Sequence, residues 1–342
     1  MSDTQFTSKQ IEDQVMSYSL YRQALINGNF DIWQRGTSFT GAGYTADRWA
    51  IGTNAGTVAT TQQAFTVGQT DVPHNPKYYM RVAVSGQSAS SDYSILYQPL
   101  EGVDKFAGET ITISVYAKAS SAGYLGIEFA RTFGTGGSSW DAGITTTKQP
   151  ITTSWSLISF TVTLPSVSGK TIGTDDSLAM YFWLSGGSDF DARNGGVGIQ
   201  NLTFEFSSAW INIGDTTLPY YPVSFGETLQ QCQRFYIRWA NATGYSAHIG
   251  IGQVFSATQA RCFIGLPTTM RKAPSIETSG EIRVFVGGGN QRVVSGYGTP
   301  SGGQYMPTTK IDVTFATSAT DGGAVGLFCS ASGSYFALSA EY

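Results

Sequence analysis

Trp140 lies in a loop rich in glycine and serine, FGTGGSSWDAG (residues 133–143), and has the surroundings that sugar recognition requires. Sugar C–H faces stack on an aromatic ring while their hydroxyls need oriented polar partners, and Asp141 follows the ring directly. Tyr297 and Tyr305, in VSGYGTPSGGQYMP (294–307), offer a second aromatic surface that reads as a loop tip. Each of these residues also has a plainer role. Interfaces favour tryptophan and tyrosine, so Trp140 serves equally as a loop anchor or as a contact with a neighbouring subunit.

Catalysis is harder to find. Hydrolysis of a glycosidic bond needs two carboxyl groups held roughly 5–9 Å apart across a cleft. Glu101, Asp175, Asp176 and Glu205 are available, but nothing in the sequence sets any of them opposite another, and the chain reads as a non-enzyme. GGSDFDARNGG (186–196) gathers Asp189, Asp191 and Asn194. It fits a calcium site at a sandwich edge or an ordinary Asp/Asn/Gly turn, while Gln200 stands where an EF-hand requires glutamate. VGGGNQ (286–291) lacks the lysine and helix of a phosphate loop and reads as a hairpin. His74 and His248 have no metal-ligating neighbours in sequence, and Cys232, Cys262 and Cys329 form no CxxC pair, so free buried thiols are expected. No metal or cofactor is expected.

The elements that must position these residues follow from periodicity. TSKQIEDQVMSYSLYRQALI (7–26) has capping-box spacing at Thr7 and Gln10, an apolar face of Ile11, Val15, Tyr18 and Leu25, and a stop at Asn27-Gly28. Such a stripe predicts a helix that covers its own domain, packs on sister chains or anchors to a partner surface. Beyond residue 27 the period changes to two. TITISVYAKAS (110–120) and SFTVTLP (159–165) alternate apolar and polar residues as half-buried antiparallel strands do. Further strands are expected at 79–85, 124–130, 178–184 and 199–206, then after PYYPVSFGETLQQCQ at 234–240, 260–267, 281–287, 310–317, 324–330 and 335–342. The expected fold is all-β: an N-terminal helix (1–26), a jelly-roll β-sandwich (27–222) and a second, smaller β-sandwich (223–342).

NGNFDIWQRGTS (27–38) and YTADRWAI (44–51) each place an Asp and an Arg beside a Trp. The expected role is structural: Trp33 and Trp49 as packing, with Asp31, Arg35, Asp47 and Arg48 pairing across strands or capping turns. Charged residues make up only 13% of the 342 residues, about half of the roughly 25% usual in globular domains. The net charge is −4 without a basic cluster, which argues against nucleic-acid binding. No apolar run approaches the roughly 20 residues of a membrane span, and MSDTQFTSKQIEDQ has neither the basic nor the apolar region of a secretory signal.

Several phrases in order carry a resemblance. NGNFDIWQRGTSF, YTADRW, YQPLEGVDKFAGETITISVYAKAS, TTSWSLISFTVTLPSVSGKTIG and GETLQQCQRFY (226–236) together resemble a domain that recurs in tailed-bacteriophage tail-fibre and other virion proteins, itself similar to the jelly roll of carbohydrate-binding modules. LPTTMRKAPSIETSG and the closing LSAEY resemble the β-rich domain that often follows it. The resemblance implies a non-enzymatic virion component, made in the host cytoplasm: an oligomeric tail or head fibre, commonly trimeric, that contributes to attachment to host glycan. A capsid decoration or cement protein that stabilises the head shell is the alternative. Its implied partners are its own copies, other virion proteins and host surface glycan, with neither nucleic acid nor membrane insertion.

Overall fold

The computed structural model describes residues 24–241, 247–286, 290–316, 318–320 and 322–342. The chain divides at Thr228/Leu229 into two compact units. In the first, strands run in the order β1 (Ser38–Thr40), β2 (Gly43–Tyr44), β3 (Ala50–Thr53), β4 (Thr57–Ala64), β5 (Tyr78–Ser85), β6 (Tyr93–Glu101), β7 (Thr110–Ala119), β8 (Gly123–Thr132), β9 (Asp141–Ile151), β10 (Ser156–Thr163) and β11 (Ser177–Gly186). A one-turn helix α1 (Asp191–Asn194) precedes β12 (Thr203–Ile213), and α2 (Phe225–Gln233) spans the division between units. Two antiparallel six-stranded sheets result, ordered β1-β4-β5-β12-β7-β10 and β2-β3-β6-β11-β8-β9. This is a jelly-roll β-sandwich: β2–β3, β4–β5 and β8–β9 pair within a sheet, and the other connections cross between the two sheets.

The alternation in β7 shows why the sandwich forms. Ile111, Ile113, Val115 and Ala117 are fully buried against Phe160, Phe182 and Phe206 in one continuous core, whereas Thr112, Ser114, Tyr116 and Lys118 take the opposite face of the strand. Part of that outer face is covered by the segment after β12. Thr112 Oγ1 donates to the Gly214 carbonyl (2.8 Å), and the Trp210 indole donates to the Leu218 carbonyl (3.1 Å).

The opening phrase is structural. Asn27, at positive φ, donates its amide to the carbonyls of Ile32 and Asp47 and accepts from the backbone N–H groups of Asp31 and Ile32. Its own carbonyl accepts from the indole of fully buried Trp49 (3.0 Å). The Trp33 indole donates to Phe30, Asp47 accepts from Gln34, and buried Arg48 donates to the Pro99 carbonyl. Asn27 thus ties two turns together, and the polar residues beside the tryptophans satisfy the backbone where the chain enters the core.

The expected helix over 7–26 lies outside the described residues up to position 23, and so do Ile11, Val15 and Tyr18. Its last residues are described and are not helical: residues 24–26 form bends and a turn. Leu25 is one of the sandwich core residues. It is buried in the protein's own core, and the backbone of Ile26 beside it makes two hydrogen bonds with the Gln98 side chain (2.7 and 2.9 Å).

In the second unit, β13 (Tyr236–Ala240), β14 (Ala247–Ser256), β15 (Gln259–Gly265), β16 (Ser275–Ser279), β17 (Ile282–Val286), β18 (Asn290–Tyr297), β19 (Ser301–Gly302), β20 (Thr308–Phe315), β21 (Ala324–Cys329) and β22 (Tyr335–Ser339) follow in order. They form a sheet β13-β22-β16 and a larger sheet β15-β14-β21-β17-β18-β20-β19. The larger sheet closes on itself through pairing of β15 with β20, which removes its main open edges. β17 and β18 pair antiparallel, and residues 287–289 of the hairpin expected at 286–291 lie outside the described residues. Cys232, Cys262 and Cys329 are free and buried, and burial pushes the Cys262 thiol up to about 12.

Candidate functional site

The outer face of the β2-β3-β6-β11-β8-β9 sheet gathers aromatic rings around one buried carboxylate. Register places Tyr97 of β6 opposite Tyr181 of β11, and Tyr181 opposite Glu128 of β8. One step along, Ile95, Trp183, Gly126 and Lys148 form the next row. Residues two apart share a face, so Tyr181 and Trp183 lie side by side on this surface while Met180 and Phe182 fill the core.

Glu128 is fully buried, yet every bond it makes is charge-assisted or from a preorganised donor. Its oxygens accept from the Trp183 indole (2.7 Å), from Arg193 Nε and Nη2 (2.8 and 3.1 Å) and from the Gly143 backbone (2.8 Å). A buried carboxylate held this way fixes its partners in turn. Arg193, on α1, is oriented so that its guanidinium lies 5.2 Å from the Trp140 ring centre and 5.4 Å from that of Trp183. Trp140 itself is 56% exposed. An exposed indole backed by a cation and set beside fixed polar atoms is the arrangement for stacking a sugar. Tyr97 and Tyr181 pack 5.3 Å apart, and burial, with Glu128 nearby, pushes the Tyr181 phenol up to about 12, so it remains a neutral hydrogen-bonding group at ordinary pH. Lys148 lies 4.2 Å from the ring centre of Tyr124, which is 43% exposed.

The residues singled out in sequence are placed unevenly. Trp140 stands at this face, just ahead of β9. Asp141 opens β9 opposite Arg131, whose ordinarily high pKa is lowered by burial against a compensating pull from Asp141. Tyr297 is not at a loop tip: it ends β18 and packs 5.9 Å from Phe336, and burial pushes its phenol up to about 12. It lines a cleft of about 460 Å³ with Pro274, Ile276, Thr278, Thr299 and Pro300. Tyr305 is 86% exposed and lies outside that lining. The chain between the two tyrosines turns back to pair β19 with β20.

In GGSDFDARNGG, the Asn194 side chain accepts from the backbone N–H groups of Gly196 (2.6 Å) and Val197 (3.2 Å), closing the turn that carries Arg193. Gln200 donates to the carbonyls of Tyr124 and Leu184 and accepts from the Tyr124 N–H (2.7 Å). These two amides brace the face from beneath. Tyr97, Glu128, Tyr181, Trp183 and Arg193 were missed in sequence, although LAMYFWL held a readable signal: Tyr181 and Trp183, two apart in a strand, must point the same way.

No protein-family model and no curated protein matches the sequence. Solved structures similar to this chain include a CBM4 module, at 15% identity and TM-score 0.30 over 55% of this chain and 98% of that one. They include the CBM22-2 xylan-binding domain from Paenibacillus barcinonensis, at 15% identity and TM-score 0.32 over 52% of this chain and 99% of that one. The enzymatically active domain of a tailspike protein of bacteriophage CBA120 is similar at 9% identity and TM-score 0.32, over 56% of this chain and 21% of that one. None of these likenesses transfers a residue role to this chain.

Proposed function

We propose that the protein is a non-enzymatic glycan-binding component of a phage virion, in a tail or head fibre, that contributes to attachment at the host surface. The observation that carries the glycan reading is the exposed Trp140 ring set against Arg193, which buried Glu128 locks in place. The phage reading rests on the ordered phrases of residues 27–236. Glu128 supports binding over chemistry: its four accepted hydrogen bonds, from Trp183, Arg193 and Gly143, commit it to positioning its neighbours.

The test is binding of the full chain to an array of bacterial surface glycans, repeated with Trp140→Ala. Loss of a stacking ring is expected to weaken binding by at least roughly tenfold, while stability stays within about 0.5 kcal/mol because the side chain is exposed. Equal binding by the two proteins to every glycan retained by the array would sink this site, and release of reducing ends from any of them would make the protein an enzyme.

A further inference from the structure

We infer that the other outer face of the jelly roll holds a second binding site, one that takes the negatively charged substituent of an acidic saccharide. Across β5, β12 and β7, Glu205 lies directly opposite Arg81 on one side and Lys118 on the other. Arg81 Nε and Nη2 bond to Glu205 Oε1 at 2.7 and 2.6 Å, and Lys118 Nζ lies 3.0 Å from Oε2. Two cations share one carboxylate, so the cluster keeps one positive charge in excess.

That excess is presented to solvent and is not buried with its partner. The Glu205 side chain is 8% exposed, those of Arg81 and Lys118 39% and 31%. They border an open cleft of about 470 Å³, completed by Ser120, Thr153 and Thr203. Arg81 Nη1 has no protein partner among the described residues, and Lys118 has ammonium hydrogens to spare, since it has three donors. Thr153 and Thr203 add hydroxyls at the rim.

A ring stands beside the charge. The Lys118 ammonium lies 5.3 Å from the centre of the Trp155 ring, which meets Tyr79 edge-on at 5.5 Å and Phe65 at 5.4 Å. The segment that covers the rest of this sheet face bonds to Thr112, Trp210 and Ser159, farther along the strands. An anion held by the preorganised guanidinium and ammonium, with hydroxyls for the ring oxygens of its sugar, uses the polar lining of the cleft, and the Trp155 ring beside Lys118 offers an aromatic plane next to it. A structural ion pair alone would need only one of the two cations. The anion itself is a carboxylate or a phosphate monoester, since both accept from this pair.

The experiment titrates the full chain with trigalacturonic acid, with its methyl ester and with glucose phosphate monoester. Binding of the acid, of the sugar phosphate or of both is expected, and the preference identifies the anion. The methyl ester should bind the chain at least roughly tenfold more weakly than the acid, and affinity for the charged ligands should fall as salt rises. Lys118→Gln should cost roughly tenfold. Glu205→Gln should tighten binding, an effect in the direction opposite to that of a damaged fold. Trp140→Ala should leave all of these values unchanged, which separates this site from the one on the other sheet. Failure of both charged ligands to bind overturns the inference. So does binding that Lys118→Gln leaves intact and Trp140→Ala removes.

Discussion

Asp31, expected from sequence to pair across strands or cap a turn, becomes sensitive to pH once the chain around it is folded. Burial raises its carboxyl from 3.8 to about 6, against smaller opposing pulls from the Asn29 hydrogen bond and from Lys77. It borders a cleft of about 510 Å³ with Trp33, Lys77 and Tyr78. A carboxyl raised by folding binds its proton more tightly in the folded state than in the unfolded one. Its contribution to stability is therefore complete below about pH 4 and is lost as pH rises through about 6. Asp31→Asn cannot ionise. It should match the parent protein near pH 4 and be more stable by about 1–2 kcal/mol above pH 7. Thermal melts at the two pH values measure the difference, and a variant destabilised equally at both would show that the carboxyl is held as an anion by its neighbours. The Trp140 site has the same lesson about legibility. Trp140 was visible in sequence because a loop aromatic among glycines stands out. Glu128 and Arg193, which orient it, come from separate segments and look like any other charges until strand register and the α1 turn bring them together.

At the scale of elements, strands with a clear period or a long apolar run were readable and others were not. β7 and β10 alternate cleanly, because one face of each meets the core and the other meets hydroxyls. β6 was missed: six of its nine residues are buried, on both faces of the strand, and Pro99 interrupts its pattern. β4 was missed because TVATTQQA carries too few apolar residues to show a period. The entry turn depends on a constraint of another kind. A Cβ on Gly28 would stand 2.1 Å from the Ala209 carbonyl oxygen, whose own N–H donates to the Gly28 carbonyl at 2.9 Å. The obstacle is backbone of β12 at its bulge and has no rotamer with which to yield. Gly28→Ala should cost more than about 2 kcal/mol, as overpacking against a fixed neighbour does. Gly226→Ala is the control, for a Cβ there meets nothing within 4 Å and lies in α2. It should leave stability unchanged or raise it by up to about 1 kcal/mol. Chemical denaturation of both variants checks the pair, and equal stability of Gly28→Ala and the parent would mean that the turn and β12 separate freely.

At the scale of the whole molecule, a low charge and a surface of hydroxyls, amides and glycine suit a protein that works by many weak contacts. A single stacking site backed by a few hydrogen bonds gives modest affinity; several copies engaging one glycan surface multiply it without new contacts. Attachment by such a site therefore predicts an oligomer, and we expect a homotrimer by native mass spectrometry. The expected role of residues 7–23 in assembly is tested by a truncated chain that begins at Ala24, not at Asn27, since Ala24 and Leu25 belong to the sandwich core and their removal would damage the fold itself. A monomeric full-length chain sinks the trimer, and an unchanged oligomer after truncation sinks the part played by the N-terminal segment. Avidity also separates the fibre from the decoration protein. In a fibre, Trp140→Ala is multiplied across all engaged copies, so particle adsorption to host cells should fall by more than the roughly tenfold loss expected for one site. In a shell protein the same change leaves adsorption untouched, and particles lacking the protein burst at lower temperature. Labelled protein on intact particles distinguishes the two without any binding measurement: a sparse set of projections carries forward the fibre reading, whereas coverage of the head lattice ends it, because a site facing a shell from every lattice position has no host surface to reach.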